Sequence, residues 1–216
     1  MKTIVCFGDS NTWGYIPVTG HRLDYSKRWP GAMSYILGNS YKVEEEGVNG
    51  RTTCFEDPIY PKRCGTEFFE EVLLTNYPVD LVIIMLGTND SKIHLNQTSF
   101  SISVGMERLI KAAKNTEYGP RYGEDGRAPE ILVVAPPHIN KNIINREIAN
   151  DFNLNSADIV NGLAPLYKAL AECYECGFLD ASLYTEASEL DCLHITEASH
   201  ARLAQAMAEK VKELIG

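Results

Sequence analysis

The sequence predicts an α/β fold, a three-layer α/β/α sandwich around a central, mostly parallel sheet of about five strands. Three observations lead there. Two internal runs, DLVIIML at 80–86 and EILVVA at 130–135, are apolar without polar alternation, the pattern of strands covered on both faces in a parallel sheet. Stretches with helical periodicity separate the strand-like runs, which calls for right-handed crossovers. The runs end at glycine or proline: Gly8, Gly87, Pro136.

Taken in order, residues 3–7 (TIVCF) form a first buried strand that stops at Gly8-Asp9-Ser10. Residues 29–37 make a short helix, with Pro30 in the first turn where proline is tolerated. Residues 41–45 are a weaker, edge-like strand. Residues 67–77 carry Phe68, Phe69, Val72 and Leu73 on one helical face, and Ile102, Met106, Leu109, Ile110 and Ala113 form another apolar stripe. Ile159, Leu163, Leu166, Leu170 and Cys173, spaced 4, 3, 4 and 3, predict one continuous helix. Residues 177–180 supply a short fifth strand. Leu203, Met207, Val211 and Leu214 stripe a C-terminal helix that Thr196 can cap. Three loops, 54–65, 115–129 and 137–150, are long and rich in Gly or Pro, as functional or interfacial loops are.

The 216 residues fit one domain, 1–216, large enough to bury a substantial core. With 44% hydrophobic and 23% charged residues the composition is that of a globular protein. A formal net charge of −9 argues against nucleic acid or an anionic membrane as partner. No run approaches a membrane span, and residues 4–7 are too short for a signal-peptide core, so a cytoplasmic place is expected. Cys173 and Cys176 form a C-x-x-C pair within a helical pattern and without a second pair. Free thiols are expected rather than a redox or zinc site.

Four segments carry chemistry. Gly8-Asp9-Ser10-Asn11 places a serine at the end of a strand, where open α/β sheets bind ligands. Asp9 and Ser10 are also favoured helix caps. A serine needs a base, and the base an orienting group. Asp191-Cys192-Leu193-His194 offers both when its turn is tight. A developing oxyanion needs preplaced donors. Gly47-Val48-Asn49-Gly50 presents the Gly50 amide, and Gly87-Thr88-Asn89-Asp90 the Asn89 side-chain NH2. Each segment alone has an ordinary reading as a turn or cap; together they meet at element boundaries. Gly-x-Ser-x-Gly, His-Glu-x-x-His, P-loop and Gly-x-Gly-x-x-Gly patterns are absent, so neither metal nor nucleotide cofactor is implied.

The set, in this order across residues 8–194, resembles the SGNH (GDSL-type) hydrolase family. The segment from Gly8 to Tyr15 is most like its small arylesterase and acyltransferase branch. Asn49 departs from the serine or other small residue of many members and leaves the Gly50 amide in place. The resemblance implies Ser10 as nucleophile, His194 as base and Asp191 as its orienting group. It implies an oxyanion hole of the Ser10 amide, the Gly50 amide and the Asn89 side chain, with Asp9 organising the loop. His200, six residues past His194, is the alternative base, otherwise a surface or structural residue.

Acyl transfer through an acyl-serine follows, with water or an alcohol as acceptor. Asp9, Asn11 and Trp13 are candidate substrate contacts. Trp13, Tyr15 and Ile16 either wall an apolar pocket or pack beneath a loop. With no apolar insertion to serve as a lid, short-chain esters are expected. The alternatives are an esterase for acetylated sugars, stacked on Tyr60, Trp29 or Tyr122, and a non-catalytic binding module. The resemblance also implies self-association, with the long loops shaping a restricted entrance.

Overall fold

A computed structural model describes residues 1–114 and 126–216. Most of the loop at 115–129, and Tyr122 with it, lies outside the described residues. Five strands form one sheet in the order β2-β1-β3-β4-β5, every pair parallel. They are β1 (Lys2–Gly8), β2 (Tyr41–Gly47), β3 (Leu81–Met85), β4 (Glu130–Ala135) and β5 (Gly177–Asp180).

Alternate residues of the three central strands feed two separate cores. Val5, Phe7, Val82, Ile84, Ile131 and Val133 join one cluster; Ile4, Cys6, Leu81, Ile83, Leu132 and Val134 join the other. This is why the strand runs are apolar throughout. Each such side chain, fully buried, contributes about 1.5–3 kcal/mol. On the first face pack α3 (Gly65–Thr75), α4 (Ser99–Lys114) and α6 (Leu163–Cys173). On the second pack α2 (Trp29–Leu37) and α7 (Glu197–Ile215), against each other. The Thr196 hydroxyl caps α7 by accepting the Ser199 amide at 3.2 Å. The edge strand β2 keeps three glutamates, and Glu45 accepts Arg28 Nε at 2.7 Å.

The single helix expected over 159–173 is two, α5 (Leu154–Asn161) and α6, meeting at Gly162. Leu163 is buried as expected, but the rest of the stripe is one position off: Val160, Tyr167 and Ala171 face inward, while Ile159, Leu166 and Leu170 are half-exposed and Cys173 exposed. Tyr167 sets this register. Its hydroxyl donates to the Leu86 carbonyl at 3.1 Å, and its oxygen would lie 2.7 Å from a Cβ on Gly87.

A third, smaller cluster lies under the loop following β4: Ile139, Ile143, Phe152, Ala157, Val160, Cys192 and Leu193. Two 3-10 turns, Lys141–Asn145 and Glu147–Asn150, give that loop its shape. Among the described residues no helix is long and apolar enough to cross a membrane. All six cysteines are free.

Candidate active site

The ends of β1, β2 and β3 meet where the four segments converge. Beyond β1 the chain turns at Asp9, whose carboxylate accepts the Asn11 amide at 2.9 Å and caps α1 (Ser10–Trp13). Gly8 and Gly47 are register partners beneath this short helix. A Cβ on Gly8 would overlap the Thr12 side chain, and one on Gly47 the Trp13 backbone nitrogen. Bare backbone at both strand ends is what lets α1 lie across them and bring Ser10 to the surface of a cleft.

The segment before α7 places the His194 imidazole. Asp191 Oδ1 accepts the amides of Leu193 and His194 at 3.1 and 3.0 Å, and Oδ2 lies 2.5 Å from His194 Nδ1. The turn is tight because Cys192 adopts φ +64°, a left-handed conformation rare outside glycine. The Cys192 carbonyl accepts the Asn140 amide at 3.0 Å, and Ser188 N–H donates to the His194 carbonyl at 2.7 Å. Asn11 Oδ1 accepts the Ile195 amide at 3.0 Å and so ties the base to the serine helix. His194 Nε2 then lies 2.9 Å from Ser10 Oγ. Burial pushes the Asp191 carboxyl up, but hydrogen bonds from His194 and the two amides outweigh it and hold it below its ordinary value. Asp191 stays anionic beside the ring. It fixes the Nδ1–H tautomer and leaves Nε2 free to take a proton from Ser10.

Ser10, Gly50 and Asn89 all line the cleft. Gly50 sits at φ +82°, where glycine carries no steric cost. Neither the Ser10 nor the Gly50 amide N–H has an acceptor among the described residues. The Asn89 NH2 donates to the Arg51 carbonyl at 3.1 Å and lies 3.4 Å from Asp9 Oδ2, which fixes its orientation. Two buried aspartates lie near these donors, Asp9 beside the Asn89 NH2 and Asp90 accepting the Thr53 amide. Burial raises Asp9 to about 6 against the Asn11 amide, His194 and Arg51. It raises Asp90 to about 6 against the Thr53 hydrogen bonds. Arg51, behind Gly50, donates to the Gly8 carbonyl at 3.0 Å and covers the Phe7 ring at 4.0 Å. Burial lowers its pKa to about 10.

The cleft has a volume of about 310 Å³, at the small end for ligand pockets. Its lining includes apolar and aromatic side chains, Tyr15, Ile148, Phe152 and Leu193 among them, and polar or charged ones, Asn49, Arg63, Lys92 and Asp151, with Tyr60. The Tyr15 ring stacks on His194 at 4.3 Å. Lys92 Nζ pairs with the buried Asp57 at 2.9 Å and sits 4.3 Å from the Tyr60 ring centre. Asp57 also meets His94 at 2.9 Å. Its own burial would raise its pKa, yet these partners hold it down to about 2. Tyr60 donates its hydroxyl to Asp151 at 3.0 Å. The chain thus stitches the loop at 54–65 to the turn after β3.

Several expected contacts lie elsewhere. Trp13 is not in the cleft lining; its ring lies under the Arg22 guanidinium at 5.3 Å. Asp9 and Asn11 are buried and spend their carboxylate and amide oxygen on the protein's own amides. Trp29 is a core residue, closed to any sugar ring. His200 is not at the surface: it is buried in α7, with Nδ1 accepting the Trp29 amide at 3.2 Å. Asp57, Lys92, Arg51, Arg63 and Asp151 carry no individual signal in the sequence, although Asp57 and Arg63 fall in the long loop at 54–65 and Arg51 directly follows Gly50. Among the described residues no three His, Cys, Asp or Glu side chains converge as metal ligands would.

Residues 6–202 match the model of the GDSL-like Lipase/Acylhydrolase family. The chain is 25% identical to an acetylxylan esterase of Xylanibacter ruminicola, over 97% of its own length and 43% of that protein's, so it spans less than half of that curated relative. Among solved structures it is similar to a carbohydrate acetylesterase from Sinorhizobium meliloti, at 34% identity and a TM-score of 0.92 over the whole of both chains. It is equally similar to the native aryl esterase of M. smegmatis, at 35% identity and a TM-score of 0.92, again over all of both.

Proposed function

The chain belongs to the GDSL-like lipase/acylhydrolase family, and from that premise we propose that it is a serine esterase cleaving short-chain acyl esters of aryl or alkyl alcohols through an acyl-serine. The observation that carries this reading is the unbroken relay from Asp191 through His194 to Ser10, with contacts of 2.5 and 2.9 Å, opening on a small cleft. Ser10 Oγ attacks the ester carbonyl as His194 Nε2 takes its proton. The carbonyl oxygen, now negative, meets the Ser10 and Gly50 amides and the Asn89 NH2. The bond to the alcohol breaks as His194 returns the proton to the leaving oxygen. Water, activated by the same imidazole, then releases the acid; an alcohol in its place gives a new ester. The chemistry falls entirely on side chains and backbone amides of this chain.

Short acyl groups are favoured by the cleft volume and by Phe152, Ile148 and Leu193, which belong to its apolar lining. The test is a panel of p-nitrophenyl esters of increasing chain length, run on wild type and Ser10→Ala. Acetyl and butyryl esters should turn over fastest, and the variant should lose about three orders of magnitude or more in kcat. Faster turnover of long-chain esters, or an active Ser10→Ala protein, refutes the reading.

A second reading keeps this machinery and makes the alcohol an acetylated sugar. Tyr60 favours it, an aromatic ring in the cleft wall and 40% exposed. The acetylesterases among the similar proteins point the same way. Acetate release from acetylated saccharides, compared with aryl acetates, separates the two.

A further inference from the structure

The cleft beside Ser10 holds more hydrogen-bond donors than acyl transfer uses. Arg63 lies over the glycine segment: a Cβ on Gly50 would stand 3.5 Å from both its Cδ and its Nε. Among the described residues its side chain bonds only from one terminal nitrogen, to the carbonyls of Pro61 and Lys62 at 3.3 and 3.2 Å. Among the described residues no carboxylate pairs with it. The other cation of the cleft, Lys92, is committed to Asp57. Asn49, one residue before Gly50, has its side-chain oxygen buried without a donor. Asn49 lines the cleft, and its NH2 has no acceptor among the described residues. Of the carboxylates nearby, Asp191 is engaged by His194, Asp57 by Lys92 and His94, and Asp151, through one oxygen, by the Tyr60 hydroxyl.

A guanidinium offers five N–H donors and accepts nothing. A sugar hydroxyl both donates and accepts, so it matches this surplus only in part. A carboxylate only accepts, and its two oxygens fit the guanidinium fork side by side. Because the chain carries a net charge of −9, an anionic substrate is repelled at long range and needs a local cation to be held. Resting on the esterase reading, we propose that Arg63, with Asn49 as second donor, makes the cleft selective for esters that bear a carboxylate close to the scissile group. Arg63 is in this account a specificity residue.

The carboxylate can sit on the acyl or the alcohol side, and two substrate pairs distinguish them. p-Nitrophenyl hemisuccinate against p-nitrophenyl valerate carries the charge on the acid. para-Acetoxybenzoate against its methyl ester carries it on the alcohol. In at least one pair the charged-to-neutral ratio of kcat/KM should fall about tenfold from wild type to Arg63→Gln, and Arg63→Lys, which keeps the charge but not the fork, should fall between. An unchanged ratio in both pairs overturns the proposal, whatever the variant does to the two esters alike. Binding of the two charged esters to Ser10→Ala protein needs no turnover and so separates failure of this proposal from failure of the esterase reading. One of them should bind about tenfold more weakly once Arg63→Gln is added. Equal binding by both proteins, or no binding by either, overturns it.

Discussion

A serine hydroxyl keeps its proton at neutral pH, so Ser10 matters only through the imidazole at 2.9 Å. Replacing Asp191 with Asn removes the charge that fixes the ring and lets the wrong tautomer form. kcat should fall by about four orders of magnitude while the protein stays folded, as read by steady-state kinetics beside a melting curve. Asn89→Ala deletes one of the proposed oxyanion donors and should cost about a hundred- to a thousandfold in kcat with little change in KM. A pure KM effect would place Asn89 in ground-state binding instead. At this scale the meeting of Ser10, Gly50, Asn89 and His194 at one cleft, with Asp191 behind His194, is foreshadowed in the sequence because each stands within a few residues of a strand end or a helix start. The places of Arg63, Asp57 and Asp151 are not. Their meaning depends on what they face across loops, and a charged residue in a loop is ordinarily solvated. Trp13 shows the converse: adjacency to the nucleophile in sequence placed it near the cleft, but the turn of α1 directs its ring toward Arg22.

At the level of elements, the packing of α1 on the ends of β1 and β2 decides where the nucleophile stands. Gly47→Ala would push a methyl group into the Trp13 backbone, which has no rotamer to give way. The variant should lose about 1–3 kcal/mol of unfolding free energy in urea, and its kcat should fall further than the stability loss alone explains, because Ser10 moves with α1. Wild-type kinetics in a destabilised Gly47→Ala protein would show that α1 tolerates the shift. The strands were legible because burial on both faces forces an unbroken apolar run. The break at Gly162 and the inward turn of Tyr167 were not. Leucines at 166 and 170 satisfy a helical period as well as the true stripe does, and the choice is made by a distant carbonyl, that of Leu86.

Over the molecule as a whole, His200 ties the core between α2 and α7 to pH. Burial, with His194 nearby, holds its pKa down to about 3 against an ordinary 6.5. Between those values the unfolded chain takes up a proton that the folded chain refuses. Its stability contribution is therefore present above about 6.5 and drains away as pH falls toward 3. Asp9 and Asp90, raised from 3.8 to about 6, run the other way and gain stability over that same descent. His200→Gln keeps an acceptor for the Trp29 amide but cannot titrate. Its unfolding free energy, from urea titrations across that pH range, should fall less steeply on acidification than that of wild type. Parallel slopes would clear His200 of the effect. The general plan was legible at this scale, since strand and helix alternate plainly. The cleft's contents were not, because they are assembled by contacts between remote segments. Ser10 and His194 are 184 positions apart along the backbone and are held together by the intervening sheet and the Asn11–Ile195 bond. Neither the leading nor the trailing half of the polypeptide holds a complete reaction centre, so competence arises only when both extremities have closed on one another, and ester cleavage doubles as a gauge of that closure.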